Sequence, residues 1–108
     1  MSKEQYVKLE VYVPLSHSDK LKTALFETGA GKLGNYDCCC FEVTGTGQFR
    51  PLEGSEAFIG QKGSIEKVEE VKLEMLCPAK KIKDIVKILK ATHPYETPAF
   101  DYWPVKID

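Results

Sequence analysis

Between Gln5 and Val13 the chain reads QYVKLEVYV, with Val7, Leu9, Val11 and Val13 on one side and Tyr6, Lys8, Glu10 and Tyr12 on the other. This period of two predicts a strand buried on one face. In PLSHSDKLKTALFETG the period changes: Leu21, Ala24, Leu25 and Thr28 share a helical face, Ser16 and Asp19 have capping-box-like spacing, and Gly29 supplies a stop. YDCCCFEVTGTG predicts a second strand with Asp37, Cys39, Phe41 and Val43 toward the core, punctuated by Gly45 and Gly47. Residues 48–63, QFRPLEGSEAFIGQKG, show no clean period and predict a long loop with a short strand at Ala57 to Ile59. Loops of that length are usually functional.

EKVEEVKLEMLC alternates again, turning Val71, Leu73, Met75 and Cys77 inward and Glu70, Lys72 and Glu74 outward. Pro78 then opens a helix in which Ile82, Ile85, Val86 and Leu89 lie opposite Lys80, Lys81, Lys83, Lys87 and Lys90. That helix stops before Pro94, because a residue preceding proline is pushed out of helical geometry. AFDYWPV predicts a final strand. The order βαββαβ gives an α+β fold, a ferredoxin-like two-layer sandwich with a four-stranded antiparallel sheet and two helices on one face. The uncovered face would carry Tyr6, Tyr12, Tyr36, Cys38 and Cys40 among charges. A patch that apolar marks a subunit interface, so a homo-oligomer is expected.

With 108 residues, 43% hydrophobic and 29% charged, residues 1–108 fit one domain. Fifteen basic residues against sixteen acidic ones leave a formal charge of −1, which supplies no field to gather nucleic acid or an anionic membrane. No apolar run matches a signal peptide or a membrane span, so a cytoplasmic location with four reduced cysteines is expected.

Three consecutive cysteines suggest metal ligands, but in an extended strand only Cys38 and Cys40 share a face, roughly 7 Å apart. Small packing residues are the simpler reading, and Cys77 occupies a core position. The glycines of GAGKLGN and TGTGQF lack the strand, loop, helix order of phosphate-binding motifs and read as turns. Lys32 and Arg50 are the cations an anionic ligand would meet there. His17 sits in the first turn of a helix, where exposure is the expectation. HPYETPAFDYWPV is different, because His93, Tyr95 and Glu96 crowd into a proline-stiffened segment with residue types suited to metal binding or proton transfer. A structural turn competes with that reading, since a catalytic metal ordinarily needs about three protein ligands.

The stretches GAGKLGNYDCCCFEVTGTGQFRP, EGSEAFIGQKGSIEKVEEVKLEMLCP and HPYETPAFDYWPV resemble the central inserted domain of the Nif-three-like proteins. That insert has a GxGxF loop and an H-P-Y-E-x-P-A segment. It is similar to the PII and CutA fold, whose members are ferredoxin-like trimers. The resemblance implies a stand-alone version of the insert, without the flanking domains that carry a dinuclear metal site, so the metallohydrolase activity does not carry over. The matching positions are Gly45, Gly47, Phe49 and Pro51 in the loop and His93, Pro94, Tyr95, Glu96 and Pro98 near the carboxy terminus. Thr97 and Phe100 stand where the family often has glutamate and tyrosine.

Three readings follow. The preferred one is a non-enzymatic homotrimeric binding or regulatory module with no catalytic residues. Its inter-subunit clefts would hold a small ligand or a divalent metal ion near His93, Tyr95, Glu96, Gly45, Gly47 and Phe49. The second is a metal-dependent, hydrolase-like enzyme assembling His93, Glu96, Cys38 and Cys40 across subunits, disfavoured by having two histidines per chain. The third is a structural module that docks on a separate protein.

Overall fold

The computed structural model describes residues 4–107. Its elements are β1 (Tyr6–Pro14), α1 (Ser18–Glu27), β2 (Phe41–Phe49), β3 (Glu66–Pro78), α2 (Ile82–Thr92) and β4 (Phe100–Val105). All neighbouring strands pair antiparallel in the order β2-β3-β1-β4, the expected ferredoxin-like arrangement.

The core follows from the two alternating strands. Pairing of Val7 with Cys77, Leu9 with Met75, Val11 with Leu73 and Val13 with Val71 puts both apolar rows on one face. Leu21 and Leu25 of α1 and Ile85 and Leu89 of α2 cover that face, and all of these residues are buried. Both helices begin alike. Pro14 and Pro78 end β1 and β3 in extended geometry (φ −54° and −58°), and a single 3-10 turn precedes each helix. Proline cannot continue pairing as a donor, so it turns the chain off the sheet toward the helical layer. The expected capping box does not form, because the extra turn moves the helix start to Ser18 and leaves Ser16 Oγ bonded to His17 Nδ1 at 2.8 Å. Gly29 does stop α1, at φ +110°, where a Cβ would come within 2.9 Å of the Lys81 side chain.

The second strand departs from expectation. Residues 37–40 are not a strand, and Cys38 adopts φ +55°. That left-handed residue breaks the alternation, and a one-residue change of parity reverses every side chain that follows. Phe41 therefore pairs with Glu74 and Val43 with Lys72 on the open face, where they are 66% and 51% exposed rather than buried. Glu42 takes the helix side and accepts a 2.7 Å ion pair from Lys22. Asp37 and Cys38 are exposed, whereas Cys40 packs on the core margin. No strand forms at Ala57 to Ile59, and β2 instead continues through Phe49.

The open face carries Tyr6 and Tyr12 as expected, but Tyr36, Cys38 and Cys40 lie before β2 rather than on it. Phe41, Val43 and Trp103 supply its apolar character instead. The β2–β3 hairpin extends beyond the helices and makes the molecule 54 Å long against 24 and 21 Å across.

Leu73, fully buried at the centre of the sheet, gives the most direct test of this core. Leu73→Ala should cost about 2–5 kcal/mol, read from the urea midpoint. A loss within ~0.5 kcal/mol, the range of ordinary surface substitutions, would contradict the packing described.

Candidate functional site

The segment after α2 is built from contacts to residues far away in sequence. His93 caps the helix with an extended backbone (φ −65°, ψ 137°), as a residue before proline must, and its N–H donates to the Leu89 carbonyl. Its ring is buried. The Tyr95 N–H donates to Nδ1 at 3.1 Å, so the ring proton resides on Nε2 and is donated to the Tyr12 carbonyl at 2.7 Å. One neutral tautomer satisfies both nitrogens and ties the end of α2 to β1. In this arrangement neither nitrogen is free to bind a metal ion.

Tyr95 stands in front of His93, with ring centroids 5.1 Å apart. Its ring also meets Phe49 at 5.6 Å and Phe58 at 6.4 Å, and Phe58 meets His17 edge-on at 5.4 Å. The phenol donates to Glu70 Oε2 at 3.1 Å. Burial, and then the adjacent Glu70 carboxylate, raise the Tyr95 pKa far above that of a free phenol, so Tyr95 serves as a donor and not as a base. The Glu70 carboxylate lies across β2 at Gly47, where an added Cβ would meet Oε1. A larger residue there would displace the Glu70 side chain from this position. Glu96 accepts the backbone N–H of Glu56 and so pins the long loop to the carboxy-terminal segment.

Between that loop and the Tyr95–Ala99 segment lies a cleft of about 570 Å³, walled by Phe49, Leu52, Phe58, Ile59 and Tyr95 and edged by Arg50, Glu70 and Glu96. A shallower hollow of about 280 Å³ on the open face includes Tyr12, Val43, Gly45, Gly47 and Glu70. Of the expected ligand residues, Tyr95, Glu96 and Phe49 line the cleft, Gly45 and Gly47 the hollow, and His93 stands behind them as a support. Cys38 and Cys40 are not brought to His93 and Glu96. They precede Phe41, which pairs with Glu74, whereas Tyr95 contacts Glu70 four residues along β3; that separation is roughly 13 Å.

Among the described residues no group of three or more histidine, cysteine, aspartate or glutamate side chains is placed to hold a metal ion. One chain alone does not fit a divalent cation, because both His93 nitrogens are committed and Glu70 and Glu96 are left without a third ligand among the described residues. Burial raises the Cys40 thiol pKa and pushes that of Cys77 up to about 12, which leaves both thiols protonated and poor ligands. Sequence reasoning missed Glu70, Phe58 and His17. Periodicity marks Glu70 only as an outward strand residue, yet its pairing with Gly45 and its approach to Gly47 give it access to both depressions. Leu52, Phe58 and Ile59 are the available sequence signal for the loop, more apolar than a solvated connection needs.

The βαββαβ topology and the projecting hairpin define a ferredoxin-like domain of the CutA type. A family model described as CutA1 divalent ion tolerance protein matches residues 52–107, just over half of the sequence, and the chain belongs to that family. It is also 43% identical over 102 residues to a GTP cyclohydrolase 1 type 2 homolog of Halalkalibacterium halodurans, matching 94% of this chain and 27% of the relative. A protein of the same description from Bacillus subtilis is 41% identical over 99 residues, matching 92% of this chain and 26% of the relative. The chain thus spans about a quarter of the length of these curated relatives. Among solved structures, a Bacillus cereus protein related to NIF3 superposes with a TM-score of 0.84 at 37% identity, covering 99% of this chain and 27% of that one. The CutA protein of Archaeoglobus fulgidus, at 19% identity, shares the fold with a TM-score of 0.66, covering 95% and 86% of the two chains. The resemblance read from the GxGxF and H-P-Y-E segments is borne out.

Burial lowers the His93 pKa below its ordinary 6.5; the Tyr12 carbonyl and Glu70 pull it upward, and His17 adds to the lowering. Below about pH 6.5 the unfolded chain therefore binds a proton that the folded chain resists. Stability should fall as pH drops through that value, reaching the full penalty below the folded pKa. The urea midpoint should fall more for the wild type than for His93→Gln between about pH 7 and about pH 5. Identical slopes in the two proteins would show that His93 does not control acid sensitivity.

Proposed function

We propose that this chain is a self-associating, non-enzymatic module of the CutA type, a homotrimer whose clefts take a small ligand. The observation that carries this reading is the open face of the sheet. Phe41 and Val43 stand in solvent on β2, an edge strand of nine residues, FEVTGTGQF, without lysine, arginine or proline. Long edges of that kind invite pairing unless they are blunted by charge or proline. Tyr12 and Trp103 add aromatic side chains on the same face, beyond the charged row of Lys72 and Glu74 on β3. A second copy covering this surface would bury it and extend the walls of the hollow at Gly45 and Gly47. Support for a binding role without catalysis comes from His93, Tyr95 and Glu96, each engaged in holding another part of the fold. Metal binding would require donors from a second copy.

Light scattering at micromolar concentration should return three times the 12.1 kDa chain mass. The double variant Phe41→Ser, Val43→Thr should lower that mass to a monomer's while leaving the far-ultraviolet circular dichroism unchanged. A wild-type monomer would refute self-association, and a variant that still assembles would clear this face of the role. Elemental analysis of the purified assembly should find less than one transition metal per chain. Two metals per chain, lost in His93→Ala, would instead favour the cross-subunit metal-enzyme reading.

A further inference from the structure

The cleft beneath the loop has a chemical character of its own. Phe49, Phe58 and Tyr95 wall it with aromatic surface, and Phe58, part of it, stays 52% exposed to solvent. Its volume of about 570 Å³ is of the size that encloses small organic molecules. Glu70 and Glu96 edge it against the single basic group Arg50. The adjoining loop and hairpin add Glu53, Glu56, Glu66 and Glu69 against Lys62 and Lys67, and Lys62 is itself drawn to Glu53 at 3.9 Å.

We propose that this cleft binds a small organic cation, an ammonium group carried on an apolar body. The proposal deepens the ligand-binding half of the function above and rests on it, but it does not depend on the trimer. Three features converge on that ligand class. Aromatic faces attract cations through their quadrupole and cover apolar groups equally well. The two carboxylates are already held in place, Glu70 by the Tyr95 hydroxyl and Glu96 by the Glu56 amide, and each keeps a second oxygen for an incoming donor. The surrounding excess of negative charge raises the local concentration of cations and repels anions. Gly45 and Gly47 lie within β2 and, like the glycines of GAGKLGN, do not line this cleft, and Arg50 shares its edge with two carboxylates.

A titration followed by the amide 15N and 1H shifts of the whole chain decides the matter, with three probes of similar shape: phenethylammonium, 2-phenylethanol and 3-phenylpropionate. The cation should shift the amides of Phe49, Phe58 and Glu96 saturably and bind about fivefold tighter than the alcohol. Phe58→Leu, which keeps the apolar bulk and removes the ring, should weaken the cation about fivefold and the alcohol less than about twofold. Arg50→Gln, at an exposed position, should strengthen cation binding. Preference for the propionate, loss of binding in Arg50→Gln, or equal affinity for cation and alcohol would overturn the ligand class while leaving the cleft a binding site. Shifts with none of the three up to about 10 mM, an affinity worth under ~3 kcal/mol, would overturn both.

Discussion

The antiparallel pairing of β1 with β3 is the constraint on which the rest of the molecule depends. Nine consecutive residue pairs, from Tyr6 with Pro78 to Pro14 with Glu70, fix which side chains face the helices and where each helix is launched. The prolines sit at opposite ends of this pair, so the two helices enter the same layer from opposite directions and run antiparallel over one buried face. The pairing also decides where the Tyr12 carbonyl and the Glu70 carboxylate are presented, at neighbouring places near one end. Those two acceptors receive His93 and Tyr95, so the carboxy-terminal segment is positioned by the central strands and not by its own rigidity.

How much of this was legible in the sequence depends on how local the determining forces are. β1, β3 and α2 were legible because burial on one side writes a period into the residues, and Leu9, Leu73 and Ile85 occupy the buried positions the period assigns. β2 was legible as a strand but not in its start or its facing, because residues 37–40 lie outside it with Cys38 in a left-handed conformation that no neighbouring residue announces, and Phe41 and Val43 face the open side. HPYE was visible as a motif, but its work was not. The partners of His93, Tyr95 and Glu96 lie 81, 25 and 40 residues away, on elements whose approach only the folded chain defines.

Histidine, tyrosine and glutamate in one short segment suggest reactivity, yet here each is consumed in holding something. His93 bridges α2 and β1, Tyr95 bridges the last turn and β3, and Glu96 holds the loop. The reactive-looking constellation is therefore a joint, and the surface it supports is apolar with acidic margins. That distinction separates this domain's own chemistry from whatever the much longer relatives do with the remaining three quarters of their chains.

The long loop is closed at its base, where the Gly63 N–H donates to the Pro51 carbonyl at 2.8 Å. Its two ends are thus already joined before the hairpin strands begin. Residues between those points can be exchanged, lengthened or shortened without altering the register of β2 against β3, since an added stretch of flexible loop costs little entropy once its ends are held together. The wall of the cleft is in this sense a replaceable part. Related domains can diverge in what they recognise while keeping the same sheet, and a chimaera that transplants only the segment between Pro51 and Gly63 would exchange the wall of Leu52, Phe58 and Ile59 against a fixed side of Phe49, Glu70, Tyr95 and Glu96.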